Sequence, residues 1–332
     1  MDANTLINDI YFQDEYAKLY LNEDDRIYRF EYTKGEKWFR SLSIMRPIPN
    51  YLYPDYSETL FDLETPYGYG GPITNSQDIH FINEAMQLYR ADCVTKNIVC
   101  EFIRFHPHNQ LAAHANLFDF HLRERRVVSV NLRTEQHERW QGYSKTTRNI
   151  IRKCEKKLTF DENIHLDEFI NIYRQTMDKN NADRFFYFPK KYFEKLHTHK
   201  NCQLLGIRAF DGELLSAGFF FLSGPLAHYH LSANNLERQH ENGNYYLLEQ
   251  AFVRAKAAGC KSMLLGGGRT SSENDSLFQF KAKFSKDILP FYIAGLDFNS
   301  VQRKQLNDSW QANHSDTKIQ RFQKYRMSPK DI

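Results

Sequence analysis

The residues able to do chemistry in this 332-residue chain fall into a few short runs. Gly266-Gly267-Gly268 is followed, after a polar stretch, by Asp275-Ser-Leu-Phe-Gln-Phe-Lys-Ala-Lys-Phe284. Three glycines let a backbone or a phosphate come close; they serve equally as a tight turn on which the next helix packs. Lys281 and Lys283 add amines on that helix, as site groups or as solvated lysines. No Gly-Lys-Ser/Thr follows and no Gly-x-Gly-x-x-Gly occurs, so the run is neither a Walker nor a Rossmann loop. A second cluster is His228-Tyr229-His230. On a strand the histidines share one face and Tyr229 takes the other. Tyr229 could then donate a proton and a histidine accept one, although ring-packed structural histidines explain the same residues. The pairs His106/His108, His197/His199 and His228/His230 gain no third ligand at a convincing spacing, so no metal is expected.

Three further runs offer anion or ring contacts. Lys145, Arg148, Arg152 and Lys156 fall at i, i+3, i+7 and i+11, one face of a helix, opposite Ile150, Ile151, Cys154 and Leu158. Such a stripe can hold a pyrophosphate or a nucleic-acid backbone, or simply be solvated. The amides of Gly243, Asn244 and Tyr245, at the start of a helix after Arg238-Gln-His-Glu-Asn242, could hold a phosphate. Tyr67-Gly-Tyr-Gly-Gly-Pro72 sets two rings on flexible backbone, a platform for a sugar or nucleotide or else a rigid aromatic turn. Arg184-Phe-Phe-Tyr-Phe188, after Asn180-Asn-Ala-Asp183, is a second aromatic stretch. It could stack a sugar or a base, or face the core as a loop.

Composition limits the function classes. Hydrophobic residues at 41% and charged residues at 26% describe an ordinary globular chain. The net charge of +3 is too small for a dedicated duplex-DNA binder. Five scattered cysteines without a Cys-x-x-Cys pair suggest neither zinc nor a disulfide framework and point to a reducing cytoplasm. No signal peptide or membrane-spanning stretch is expected.

The elements that must position these residues are clearest in the second half. Gln203–Phe210 and Leu214–Ser223 flank Asp211-Gly212 as a hairpin, and Leu226–Ala233 makes a third strand. A helix over Asn244–Ala258 ends at Gly259. A strand at Lys261–Leu265, a helix over Asn274–Phe284 and a strand at Ile288–Leu296 follow. The first half repeats this order less cleanly: a helix over Phe12–Asn22, a hairpin of Arg26–Tyr32 with Trp38–Met45, a strand near Leu60–Thr65, a helix over Gln77–Tyr89, a strand at Ile98–Phe105, and a long hairpin Leu117–Leu132 turning near Arg123–Arg125. Two copies of one mixed α/β unit are the expectation.

Taken in order, the Tyr67–Pro72 run, Arg148-Asn-x-Ile-Arg-Lys153, Asn244-Tyr-Tyr-Leu-Leu248 and the Gly266–Phe284 segment resemble the FemABX-type transferases, which belong to the GNAT superfamily. The resemblance implies an α/β fold of two tandem GNAT-like domains with mixed, mostly antiparallel sheets: residues 1–145, residues 146–300, and a tail 301–332 packing on the first. It implies transfer of an aminoacyl or acyl group onto an amine of a cell-envelope glycan or peptidoglycan-type precursor, in a cleft between the domains. Lys281 would stabilise charge, with Tyr229 beside it. Tyr67, Tyr69, Arg148, Arg152, Gly267, Gly268 and Phe280 would contact substrate, and Gly243, Asn244 and Tyr245 the donor. No cofactor would be tightly bound; the donor would be aminoacyl-tRNA or acyl-CoA. The partners would be an amino-sugar nucleotide or lipid-linked glycan precursor and charged tRNA, with no DNA, in the cytoplasm. The Arg238–Asn244 loop departs from the Arg/Gln-x-x-Gly-x-Gly/Ala loop of coenzyme A users, which favours the tRNA-borne donor. The rival readings are an acetyl-CoA-dependent amino-sugar N-acetyltransferase and a non-catalytic binding module. Amine attack on an activated ester or thioester needs position and oxyanion donors more than a nucleophile, which agrees with the lack of a Ser-His-Asp or paired-carboxylate signature.

Overall fold

A computed structural model describes residues 1–53, 57–182, 184–314 and 321–327. Asp183 of the aromatic stretch and residues 315–320 and 328–332 of the polar C-terminal stretch lie outside the described residues. The chain forms two compact units, Met1–Glu124 with Pro290–Ile332, and Arg125–Leu289. The basic helix therefore lies inside the second unit.

In the second unit the strands lie in the order Phe120–Asn131 (from Arg125 onward), Ser262–Gly266, Leu226–Asn234, Leu214–Ser223, Cys202–Arg208, Thr159–Asp161. Gly212, at φ +86, closes the expected hairpin, and Leu214–Leu222 is buried throughout, as a central strand packed on both faces must be. The crossover helix Gly243–Ala257 buries Leu247, Leu248, Ala251, Phe252 and Ala255 and ends before Gly259 at φ +86. Lys145–Lys157 starts where the Ser144 hydroxyl accepts from the Thr147 amide at 3.1 Å, and it buries Thr147, Ile151 and Cys154. Two helices beyond the expected elements, Leu166–Lys179 and Lys190–His197, bury Phe169, Tyr173, Tyr192 and Phe193. The lysine-bearing helix is shorter than the 274–284 expectation. Asp275 caps it by accepting from the amides of Leu277 and Phe278, and it runs only over Ser276–Lys281.

The first unit has the strand order Arg26–Lys34, Lys37–Pro47, Phe61–Glu64, Ile98–Arg104, Asp287–Asp297, with the helix Ile79–Thr95 crossing over between the third and fourth. Both units thus follow three antiparallel strands with a helix and a parallel strand, so the mixed, mostly antiparallel fold class is the one expected. Two elements differ. The Phe12–Asn22 helix is replaced by the short turns Ile10–Phe12, Asp14–Ala17 and Lys18–Tyr20, because Gln13 is extended (φ −103, ψ 144) and interrupts the ladder. The 117–132 hairpin is instead one strand, Phe120–Asn131. Arg123-Glu-Arg-Arg126 has no Gly, Pro or Asn to reverse the chain.

The strand after each half of the chain is recruited by the other half. Ile293–Asp297 pairs antiparallel with Cys100–Arg104 in the first unit. Val128–Asn131 pairs antiparallel with Ser262–Gly266 in the second.

Candidate active site

The site is built around a parallel strand pair that parts. Leu226–Asn234 runs beside Ser262–Gly266 for three residues only, Leu226 with Ser262, Ala227 with Met263 and His228 with Leu264. Beyond that point a bulge between Tyr229 and Leu231 shifts the first strand against its other neighbour, and Gly266, at φ +78, breaks register on the second. Tyr229 and the glycine run therefore both stand just past the split, where a sheet opens without losing its ladder on either flank.

Each glycine there has a steric reason. A Cβ on Gly267 would meet the Arg126 carbonyl oxygen at 2.6 Å, and one on Gly268 would run into the Asp275 carboxylate. The run is thus a close-approach turn that also forms the wall of the split. Asp275 ties it to the next helix: one carboxylate oxygen caps Leu277 and Phe278, and the other accepts from the amides of Arg269 and Thr270 and from the Thr270 hydroxyl at 3.0–3.1 Å. Those hydrogen bonds hold the Asp275 carboxyl below its ordinary pKa against the opposing effect of burial.

Lys281 points back into this wall. Its Nζ donates to the Gly267 carbonyl at 2.8 Å and lies 5.8 Å from the centre of the Tyr229 ring. The next carbonyl, Gly268, accepts from Arg125 Nη1 at 3.0 Å. Lys281 is 8% exposed and, among the described residues, makes no ion pair. Burial, aided by the Arg125 charge and opposed by Asp275, pushes its pKa down to about 7. Tyr229 is stacked on Phe220 with ring centres 5.0 Å apart, in space that Gly218 leaves open. Burial raises its phenol to about 12, against a hydrogen bond with Ser232.

The structure separates the other expected site residues. Phe280 packs on Tyr245 and Phe284 at 5.1 and 5.5 Å, a core position. Tyr245 is buried, its amide donates to the Asn242 carbonyl, and its hydroxyl accepts from Lys283. It supports the lysine-bearing helix from beneath; its amide is not available for a donor phosphate. Gly243 lets the crossover helix sit against Leu215 and Ser216, with an added Cβ at 3.0–3.1 Å from each, and Asn244 follows it in the first turn. Arg148 donates to the carbonyls of Trp140 and Tyr143 at 3.1 and 2.7 Å, closing the turn between two helices in place of reaching for a phosphate. Arg152 is exposed and lies over the Trp140 ring. Tyr67 and Tyr69 belong to the first unit. Tyr69 packs against Tyr11, His106 and Phe291, and Tyr67 against Tyr20, as parts of a half-buried tyrosine cluster. Arg125 and Asp275 are the site residues that sequence reading passed over. Asp275 had a local signal as a helix cap before an apolar run; Arg125, distant in sequence, had none.

No protein-family model and no curated protein sequence matches the chain. Its fold is nevertheless shared. It superimposes on FemX with a TM-score of 0.70, at 12% identity over 89% of this chain and 94% of that one. The C-terminal domain of a putative lysylphosphatidylglycerol synthetase from Agrobacterium fabrum gives 0.54, at 15% identity over 86% and 88%. The L-PGS structure from Bacillus licheniformis gives 0.54, at 12% identity over 89% and 90%. At such identities the likeness is one of fold, and it is the FemABX-like fold that the ordered motifs implied. Among the described residues, no helix is long and apolar enough to cross a membrane.

Proposed function

We propose that the chain is an N-acyltransferase that moves an aminoacyl or acyl group from an activated ester onto an amine, with Lys281 at its centre. One observation carries this: a buried lysine with no carboxylate partner among the described residues, at the point where a parallel strand pair opens. Burying an unpaired ammonium costs several kcal/mol, and such a group is a mark of chemistry more than of packing. The shared fold with FemX, with the C-terminal domain of a putative lysylphosphatidylglycerol synthetase and with L-PGS supports an acyl-transfer reading.

The geometry suggests the steps. A neutral acceptor amine attacks the acyl carbon, a C–N bond forms, and the carbonyl oxygen gains charge. The Lys281 ammonium, whose remaining N–H bonds are not all engaged by Gly267, stabilises that oxyanion. The C–O bond to the donor then breaks as the carbonyl re-forms; the Tyr229 phenol supplies the leaving oxygen with its proton and regains one from the attacking nitrogen, so that amide and alcohol form with no net change in protons. The acceptor we favour is an amine of an amino sugar or a peptide in a cell-envelope precursor.

The acetyl-CoA alternative is disfavoured by the Arg238–Asn244 loop. Arg238 forms ion pairs with Asp211, Glu213 and Glu241, so the position where a pyrophosphate would be received is ringed by three carboxylates. An aminoacyl-tRNA donor needs no such pocket.

The test is turnover of a charged-tRNA pool and, separately, acetyl-CoA with a panel of amino-sugar nucleotides and peptide precursors. Transfer from tRNA that Lys281→Met abolishes and Lys281→Arg partly restores is the expected result. Wild-type turnover in a folded Lys281→Met protein overturns the role of the lysine. Absence of turnover with every donor, together with tight ligand binding, would establish a non-catalytic module in its place.

A further inference from the structure

The charge of this molecule is unevenly placed. The helix Lys145–Lys157 holds six basic residues and one acidic residue, so with a total of 44 basic and 41 acidic residues the rest of the chain is net negative by two. Thr147, Ile151, Cys154 and, just beyond the helix, Leu158 are buried, and at 100° per residue they point opposite to Lys145, Arg152, Lys153 and Lys156, with Lys157 on the flank. All five of these cations are exposed. Among the described residues, Lys145, Lys153, Lys156 and Lys157 make no ion pair, unlike Lys190 with Asp167 or Lys256 with Glu135 elsewhere in the unit. The fold thus leaves a convex, cationic helix face about 20 Å long.

We propose that this face docks the protein on an anionic lipid bilayer. The reading goes beyond acyl transfer and does not depend on it. Charge complementarity sets the sign of the partner: clusters of four to eight cations on an amphipathic helix are attracted to acidic headgroups. Three observations favour a lipid surface over a nucleic acid. The helix has two guanidiniums that could grip phosphate bidentately; Arg148 is tied to the Trp140 and Tyr143 carbonyls and Arg152 lies on the Trp140 ring. What faces outward is mainly lysine, a point charge suited to diffuse attraction. Among the described residues between 123 and 184 no large hydrophobic side chain is an exposed one, and the half-buried Trp140 ring already lies under Arg152, so the face offers no open ring on which bases would stack. It is also convex, whereas a single strand is tracked by a groove.

The experiment is co-sedimentation of the full chain with vesicles of phosphatidylcholine containing about one-third phosphatidylglycerol, and with phosphatidylcholine alone. Binding to the charged vesicles only, falling steeply between ~50 and ~300 mM salt, is expected. Lys153→Gln, Lys156→Gln and Lys157→Gln should each weaken partitioning about fivefold, and the triple variant should lose it. A charge-matched control, Lys191→Gln with Lys195→Gln and Lys200→Gln, should bind as wild type. Circular dichroism and melting temperature check the fold of each variant, and the single variants give a graded answer even if the triple variant unfolds. Absence of binding at low salt, or equal loss in the control, overturns the proposal. So does a triple variant that still binds vesicles but loses affinity for a random single-stranded RNA, which would assign the face to nucleic acid.

Discussion

Lys281 donates from Nζ to the carbonyl oxygen of Gly267 at 2.8 Å, across the turn that separates the last strand residue of the split pair from the helix carrying the lysine. A carbonyl can orient an ammonium but cannot neutralise it. The bond therefore fixes where the amine points while leaving its charge uncompensated, and Asp275, the nearest acid with an electrostatic effect on it, is already committed to four amide and hydroxyl donors and one more cap bond.

The first prediction concerns stability. Lys281→Met should make the protein more stable at pH 6 while abolishing transfer, because it removes a buried unpaired charge of similar volume. The sign with pH follows from the depressed pKa: folded Lys281 titrates near 7 and the unfolded group at 10.5, so the unfolded state binds more protons between those values. Wild-type stability should therefore rise relative to Lys281→Met from pH 7 to pH 10.5. Urea titrations of both proteins across that range would show the gap closing; a gap independent of pH would mean that the amine is ionised in the fold without penalty.

A second prediction separates the glycines. Gly268→Ala drives a methyl group into the Asp275 carboxylate and should cost about 1–3 kcal/mol together with most of the activity. Gly35→Ala has open space around the new methyl and only its φ of +61 to strain, so it should cost about 1 kcal/mol and leave turnover intact. Denaturation midpoints beside steady-state rates decide it. Equal activity losses would show that the Gly268 turn matters only for folding.

How much of this could be read from the sequence depends on how local the cause is. The Asp211-Gly212 hairpin, the crossover helix ending at Gly259 and the amphipathic basic helix are set by turn chemistry and periodicity over a few residues, and each is found close to where it was expected. The pairing of Ile293–Asp297 with Cys100–Arg104 is set by partners nearly two hundred residues apart, and no local pattern marks it. The same holds within the site. Lys281 stands in a motif that draws the eye to it, whereas Asp275 had only the local signal of a capping residue type. The demotion of Arg148, Tyr245 and Phe280 to structural duties depends on which carbonyl, hydroxyl or ring each one meets, and spacing alone does not contain that.

The third prediction is in the first unit. Asp62 is fully buried and accepts from Arg46 Nε at 3.0 Å, the Tyr325 hydroxyl at 2.7 Å and Arg326 Nε at 2.8 Å. Two of these three donors come from the short segment near the C-terminus, which is also held by Trp310 Nε1 on the Met327 carbonyl. Asp62→Ala should cost about 3–5 kcal/mol, since it takes the carboxylate from Arg326 and leaves Arg46 with Glu64 alone, and Tyr325→Phe about 1 kcal/mol. Limited proteolysis should release the C-terminal segment first in Asp62→Ala. Unchanged protection there would show that packing on Trp310, and not the carboxylate, holds the segment.

The last prediction uses Glu101, a fully buried carboxyl that accepts from the Ser43 hydroxyl at 2.5 Å and from Tyr89 at 2.8 Å. Burial raises its pKa to about 7, and the two hydrogen bonds only partly offset that. Here the folded state holds the proton more tightly than the unfolded one, whose carboxyl titrates near 4.5. The contribution is thus fully present below pH 4.5 and is lost as pH rises through 7. Wild type should lose stability over that interval from this group, and Glu101→Gln, which cannot ionise, should not. Because both partners are hydroxyls that can reorient, glutamine should keep both hydrogen bonds with one reversed. The variant should therefore match wild type near pH 5 and exceed it at pH 8. If the two denaturation curves stay parallel from pH 5 to pH 8, then the carboxyl is ionised in the folded protein and its two hydroxyl donors outweigh its burial.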